Sequence, residues 1–172
     1  INKTKEYLEQ ALILAEKIKY DKGLARSNAN IGKYYRITSN YAKARDYALQ
    51  SLEVSERIGD EESIGNCYHI LGNTYFYQSE FGSALENHIK ALHIWEKLGD
   101  KRKMGNSYGN IGSVYNSRNE TDKALEYLTK ALEIFLEVGD ETTAANVYNN
   151  IGNAYMRQEK FDKSLENLKK AI

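Results

Sequence analysis

Apolar side chains along this chain recur at spacings of three and four, with polar and charged residues filling the intervals. "EYLEQALILAEKI" near the start does this, and so do "NIGKYYRI", "YHILGNTYFY" and "ALEYLTKALEIFLE" further on. That spacing is the period of one helix face, so the pattern predicts helices whose apolar faces meet in a core. No proline interrupts them anywhere in the 172 residues.

The pattern also repeats. Gly-Asp pairs stand at 59–60, 99–100 and 139–140, 40 residues apart each time. Cutting after each aspartate gives the units 21–60, 61–100, 101–140 and 141–172, which align without a gap. Residues 1–20 align with the second half of a unit, no Met opens the chain, and Ile172 falls in mid-unit. The sequence therefore reads as a stretch of a longer array, with 1–172 as one array domain.

Position 12 of every unit is glycine (Gly32, Gly72, Gly112, Gly152), and position 15 is tyrosine (Tyr35, Tyr75, Tyr115, Tyr155). Position 24 is Ala44, Ala84, Ala124 and Ser164; position 31 is Ser51, Ala91, Ala131 and Ala171. Both halves of a unit carry the helical period, so each unit reads as two helices, with Ser39, Ser79 and Asn119 at the turn between them. The Gly-Asp pair closes the unit: glycine suits the left-handed residue after a helix, and aspartate caps the next one. A glycine inside a helix costs roughly 1 kcal/mol against alanine, so four at one phase imply that helices cross closely there. These features predict an all-α solenoid of helical hairpins.

The run Y-x-x-I/L-G-x-x-Y, followed by A-x-x-x-x-x-x-A-L, resembles the tetratricopeptide repeat over essentially the whole chain. The resemblance implies a right-handed superhelix of antiparallel helix pairs, about nine helices here, with the first helix of each pair lining a concave wall. Two features depart from the family. Its proline is missing, with Glu56, Glu96 and Leu136 at that phase, and the period is 40 rather than the usual ~34. This long repeat is similar to those of Pins-type polarity scaffolds, bacterial peptide-pheromone receptors, and repeat arms fused to bacterial sensor kinases or cyclases.

Asparagine, a mediocre helix former, clusters in the first helices. At about 100° per residue, positions 6, 10, 13 and 17 share a stripe roughly 60° wide. It lies opposite the Tyr/Ile/Gly/Tyr packing set at positions 8, 11, 12 and 15. The stripe holds Asn66, Asn106 and Asn146 with Arg26 at position 6, and Asn30, Asn110 and Asn150 with Ile70 at position 10. Lys33, Asn73, Ser113 and Asn153 occupy position 13; Ile37, Tyr77, Ser117 and Arg157 occupy position 17. The resemblance implies that this stripe faces the groove. A carboxamide both donates and accepts, as a peptide group does, so a ladder of Asn suits the backbone of an extended segment. His69, Phe76 and Met156 flank the stripe and supply selectivity. The few charges here, Arg26, Lys33, Arg36 and Arg157, are all basic and favour an acidic residue or a terminal carboxylate on the ligand. The competing expectation is that the asparagines bond one another and hold the array together.

Other chemistry is excluded. His69, His88 and His93 are the only imidazoles, and no His/Asp/Glu set has metal-ligand spacing on one face. The resemblance puts His88 at a core position. Cys67 is the single cysteine, so it forms no internal disulfide and has no catalytic partner in register. The glycines are spread one per helix rather than gathered in a phosphate loop. "KRK" at 101–103 opens one helix in one unit and reads as solvated. Lys and Arg number 24, matched by 24 Asp and Glu, which gives no field for nucleic acid or an anionic membrane. No cofactor or metal is implied.

The sequence thus predicts a cytoplasmic, non-catalytic module that binds a protein or peptide segment, as the sensory or scaffolding arm of a signalling protein. The alternative is a self-association element, a homodimer joined through apolar repeat ends at Leu8, Leu12 and Leu14 and at Leu165, Leu168 and Ile172.

Overall fold

The structure is a computed structural model that describes residues 2–172. Among the described residues there are nine helices and no strand. They are α1 (Asn2–Lys17), α2 (Asp21–Ile37), α3 (Tyr41–Ile58), α4 (Glu61–Tyr77), α5 (Phe81–Leu98), α6 (Lys101–Ser117), α7 (Thr121–Glu137), α8 (Glu141–Arg157) and α9 (Phe161–Lys170). The expected helix pairs are all present. None of the helices is long and apolar enough to cross a membrane.

The helix ends follow from the residues placed there. Gly59, Gly99 and Gly139 each take the left-handed conformation at φ 68°, which closes the preceding helix without a Cβ clash. The following aspartates accept backbone N–H bonds: Asp60 from Ser63 at 3.2 Å, Asp100 from Lys103 at 3.0 Å and Asp140 from Thr143 at 3.1 Å. Each satisfies one of the free donors of a helix start and places a negative charge on its positive end. The turn inside each hairpin also needs a left-handed residue, and there it is not glycine. Ser39, Ser79, Asn119 and Glu159 hold φ between 58° and 61°.

The chain forms two compact units, Ile1–Ile94 and Trp95–Ile172. In the first, α1 packs on α2, α2 on α3, and α3 on α4, while α2 and α4 also touch. In the second, the pairs are α6 with α7, α7 with α8, and α8 with α9, and α6 also meets α8.

The position-12 glycines sit where the helices of one hairpin cross. A Cβ on Gly112 would lie 2.7 Å from Leu128 Cγ, and one on Gly152 would lie 2.8 Å from Leu168 Cγ. On Gly72 it would meet the His88 ring at 2.7 Å, and on Gly32 the Ala44 carbonyl at 3.2 Å. Glycine is therefore required by contact, and position 28 opposite it holds three different residue types: Ala48, His88, and leucine at Leu128 and Leu168. The small residues at position 24 (Ala44, Ala84, Ala124, Ser164) are all buried, as expected for a close crossing.

Lysines hold the tyrosine seam from outside. Lys43 lies over Tyr35 at 5.1 Å, Lys123 over Tyr115 at 5.2 Å and Lys163 over Tyr155 at 5.5 Å. Each such contact contributes about 0.5–1 kcal/mol at an exposed site. The tyrosines are thus packing residues whose faces are covered.

Several apolar residues expected on open ends are engaged. Leu8 and Leu12 pack against Ile31, Tyr35 and Ala44 in the first unit, and Leu168 rests on Gly152 in the second. Leu14 and Leu165, by contrast, are more than half exposed, as is Ile172.

Candidate functional wall on the first helices

The polar residues of the stripe opposite the packing face are exposed or half-buried in both units, whereas Ile70, expected on the same stripe, is buried against Ala48 and Leu71. In the first unit, Asn30 and Lys33 on α2 are exposed, and Asn66 and Asn73 on α4 are half-buried. In the second, Asn106 on α6 and Asn146 and Asn153 on α8 are exposed, while Asn110 and Asn150 are half-buried. The residues behind them, Ile31, Leu71, Ile111 and Ile151, are all buried. The helical period therefore placed the packing face as expected.

The asparagines do not bond one another across helices. Among the described residues, the only amide pair within the stripe's reach is Asn153 with Asn149, on the same helix at 3.5 Å. Asn73 Nδ2 meets His69 Nε2 at 2.9 Å, also on one helix. Asn30, Asn66, Asn106, Asn110, Asn146 and Asn150 make no side-chain hydrogen bond there, so their donors and acceptors face solvent. Such amides keep both a donor and an acceptor available.

In the first unit the stripes of α2 and α4 border a cleft of about 530 Å³. Arg26, Asn30 and Lys33 line it from α2, Ser63 and Asn66 from α4, and Lys22 and Asp60 close one end. Lys22 Nζ lies 3.4 Å from Asp60 Oδ2. Burial acts against the Asp60 carboxylate, but the bonds from Ser63 and the charge of Lys22 outweigh it and hold the group below its usual range. Further along, Arg36, Ile37, Ser39, Tyr41 and Tyr77 surround a second hollow of about 280 Å³. Tyr41 and Tyr77 stack there with centroids 6.1 Å apart, and Arg36 lies 5.8 Å from the Tyr77 ring centre. Phe76 packs edge-on to Tyr77 at 5.7 Å.

His69 is not the open pocket residue the sequence suggested. It is half-buried, bonded to Asn73 and set edge-on to His88 with centroids 5.9 Å apart. Burial, then the charges of Arg36 and Lys33, push its pKa down to about 4. His88 is fully buried, as the resemblance implied, and burial with His69 beside it pushes it down to about 3. Its Nδ1 has no partner.

In the second unit the wall is almost neutral. Asn116, Asn153, Met156 and Arg157 surround a hollow of about 380 Å³. Arg157 is already committed, donating to Asn119 Oδ1 at 2.6 Å. The "KRK" run is likewise spoken for: Lys101 pairs with Glu137 and Arg102 with Asp140, while Lys103 lies over Trp95 at 4.4 Å. Cys67 is buried, donates to Ser51 Oγ at 3.0 Å, and has its thiol pushed up by burial. No metal-holding group of three His, Cys, Asp or Glu exists among the described residues.

Lys22, Tyr41 and Asn116 border these clefts without having been singled out from the sequence. Lys22 was within reach, since it stands four residues before Arg26 on the same face. Tyr41 was not, because it belongs to a second helix.

Sequence models of the tetratricopeptide repeat match residues 24–58, 63–137 and 145–172. No curated protein matches the chain. Among solved structures, BtubC (BKLC) from P. vanneervenii superposes with a TM-score of 0.88 at 20% identity, over 99% of this chain and 71% of that one. A signal transduction ATPase with numerous domains and a tetratricopeptide repeat sensor, from Pyrococcus horikoshii, gives 0.79 at 25%, over 94% and 26%. A Rap protein complexed with competence and sporulation factor gives 0.77 at 20%, over 98% and 46%. The chain thus spans most of the first of these and less than half of the other two.

Proposed function

We propose that this chain, which belongs to the tetratricopeptide repeat family, is a non-catalytic module that holds an extended peptide or protein segment against its first helices. The observation that carries this reading is the stripe of asparagines whose amides bond nothing across helices. Each amide-to-backbone bond contributes about 1 kcal/mol net, so several acting together give useful affinity. The complex of the Rap protein and the sensor role of the Pyrococcus repeat support a sensory or scaffolding arm of a signalling protein.

Selection of a random decapeptide display library on the immobilised chain tests this. Enriched peptides are expected, and the double variant Asn110→Ala with Asn150→Ala should retain fewer of them. Its urea midpoint should correspond to a stability within about 0.5 kcal/mol of the parent, as for surface positions without partners. Absence of any enrichment would remove the reading. A large loss of stability would return the asparagines to a structural role.

Self-association is the second reading, favoured by Ile13 and Leu14 of α1 and by Ile18 just after it, each more than half exposed. Sedimentation over a hundredfold concentration range checks it, with Leu14→Glu expected to restore a monomer.

A further inference from the structure

Three cations on α2, Arg26 and Lys33 on the stripe and Arg36 at its flank, have no carboxylate partner among the described residues. The acidic groups nearby are Asp60, engaged by Lys22 and by the start of α4, and Glu62, which also borders the cleft and makes contacts of its own. The positive charge reaches inward as well, since Arg36 and Lys33 both act on His69. The corresponding positions of α6 are Asn106, Ser113 and Asn116, and those of α8 are Asn146, Asn153 and Met156. On α4 they are Asn66, Asn73 and Phe76, so the same scaffold carries cations at these three positions on α2 alone.

Resting on the peptide-binding reading, we infer that the first unit selects an acidic segment: two or three carboxylates facing Arg26, Lys33 and Arg36, followed by an apolar side chain in the hollow at Ile37 and Tyr77. From Arg26 to Arg36 the helix advances about 15 Å, at ~1.5 Å per residue. An extended segment covers that distance with four or five residues at ~3.3 Å each. The cleft of about 530 Å³ beside Arg26 and Lys33 has room for acidic side chains to approach them. Unpaired cations on a half-open surface gain most from an opposite charge, and the gain is screened by salt.

The peptides enriched by the library selection test this directly. They should carry Asp and Glu at several times the library frequency at 50 mM salt, and the excess should fade at 500 mM. The variant Arg26→Gln with Lys33→Gln, both at exposed sites, should keep the parent's urea midpoint and still enrich peptides, with the acidic excess gone. For one selected peptide, replacing its acidic residues by Asn and Gln should weaken binding about tenfold on the parent and little on the variant. Enrichment without acidic bias would overturn this inference and leave the broader reading standing. Failure to enrich any peptide would overturn both. Preferential capture of a single-stranded oligonucleotide over the selected peptides would also overturn it, by showing that the wall serves phosphates.

Discussion

Gly109 and Gly112 stand three positions apart on α6 and respond to a methyl group in opposite ways. At Gly112 a Cβ would press on Leu128 at 2.7 Å and on the Ala124 carbonyl at 3.2 Å, so Gly112→Ala forces the α6–α7 crossing apart. Overpacking of this kind costs about 1–3 kcal/mol, more than the roughly 1 kcal/mol that alanine returns to the helix. At Gly109 the nearest atom is Ala131 Cβ at 3.9 Å, an ordinary contact. Urea denaturation should therefore show Gly112→Ala destabilised and Gly109→Ala stabilised by up to about 1 kcal/mol. The sequence revealed the first glycine as necessary because it recurs at one phase in four units. What opposes it was not legible, since position 28 varies between alanine, histidine and leucine.

At the scale of the helices, caps and turns carry most of what can be adjusted. Removing the Asp100 side chain frees the Lys103 N–H, so Asp100→Ala should lower stability by about 1 kcal/mol, read from the urea midpoint. Glu159 sits at φ 58° in the α8–α9 turn, where a side chain strains against the backbone. Glu159→Gly should raise stability by about 0.5–1 kcal/mol, net of the extra freedom glycine gives the unfolded chain. Helix number, pairing and the Gly-Asp boundary were all readable, because capping chemistry and the period of 40 are local and repeated. The engagement of Leu8, Leu12 and Leu168 was not, because it depends on which neighbouring helix approaches. The site was legible as a stripe on each first helix; the pairing of Asn73 with His69 and the role of Tyr41 arise from contacts that no single-helix projection contains.

At the scale of the whole molecule, all three histidines lie in the first unit and none in the second. His69 and His88 titrate near 4 and 3 when folded, against the ordinary 6.5. Between pH 6.5 and about 4 the unfolded chain takes up protons that the folded chain refuses, so stability falls as the pH falls. The slope reaches at most roughly 1.4 kcal/mol per pH unit for each imidazole. Hydrogen exchange compared at pH 7 and pH 5 should therefore show protection lost from α4 and α5 before it is lost from α7 and α8. His88→Leu fills position 28 as Leu128 and Leu168 do, and removes a buried nitrogen without a partner. Its stability advantage in urea should be larger at pH 5 than at pH 7.5, and an advantage independent of pH would contradict the assignment.

The outward amides have one more consequence, for how such a chain changes over generations. Because they support no neighbouring helix, replacing them should leave folding untouched, so on the proposed reading the face can change while the hairpins beneath stay constant. A lineage built on this plan could then retarget itself by one or two codon changes on a single helix.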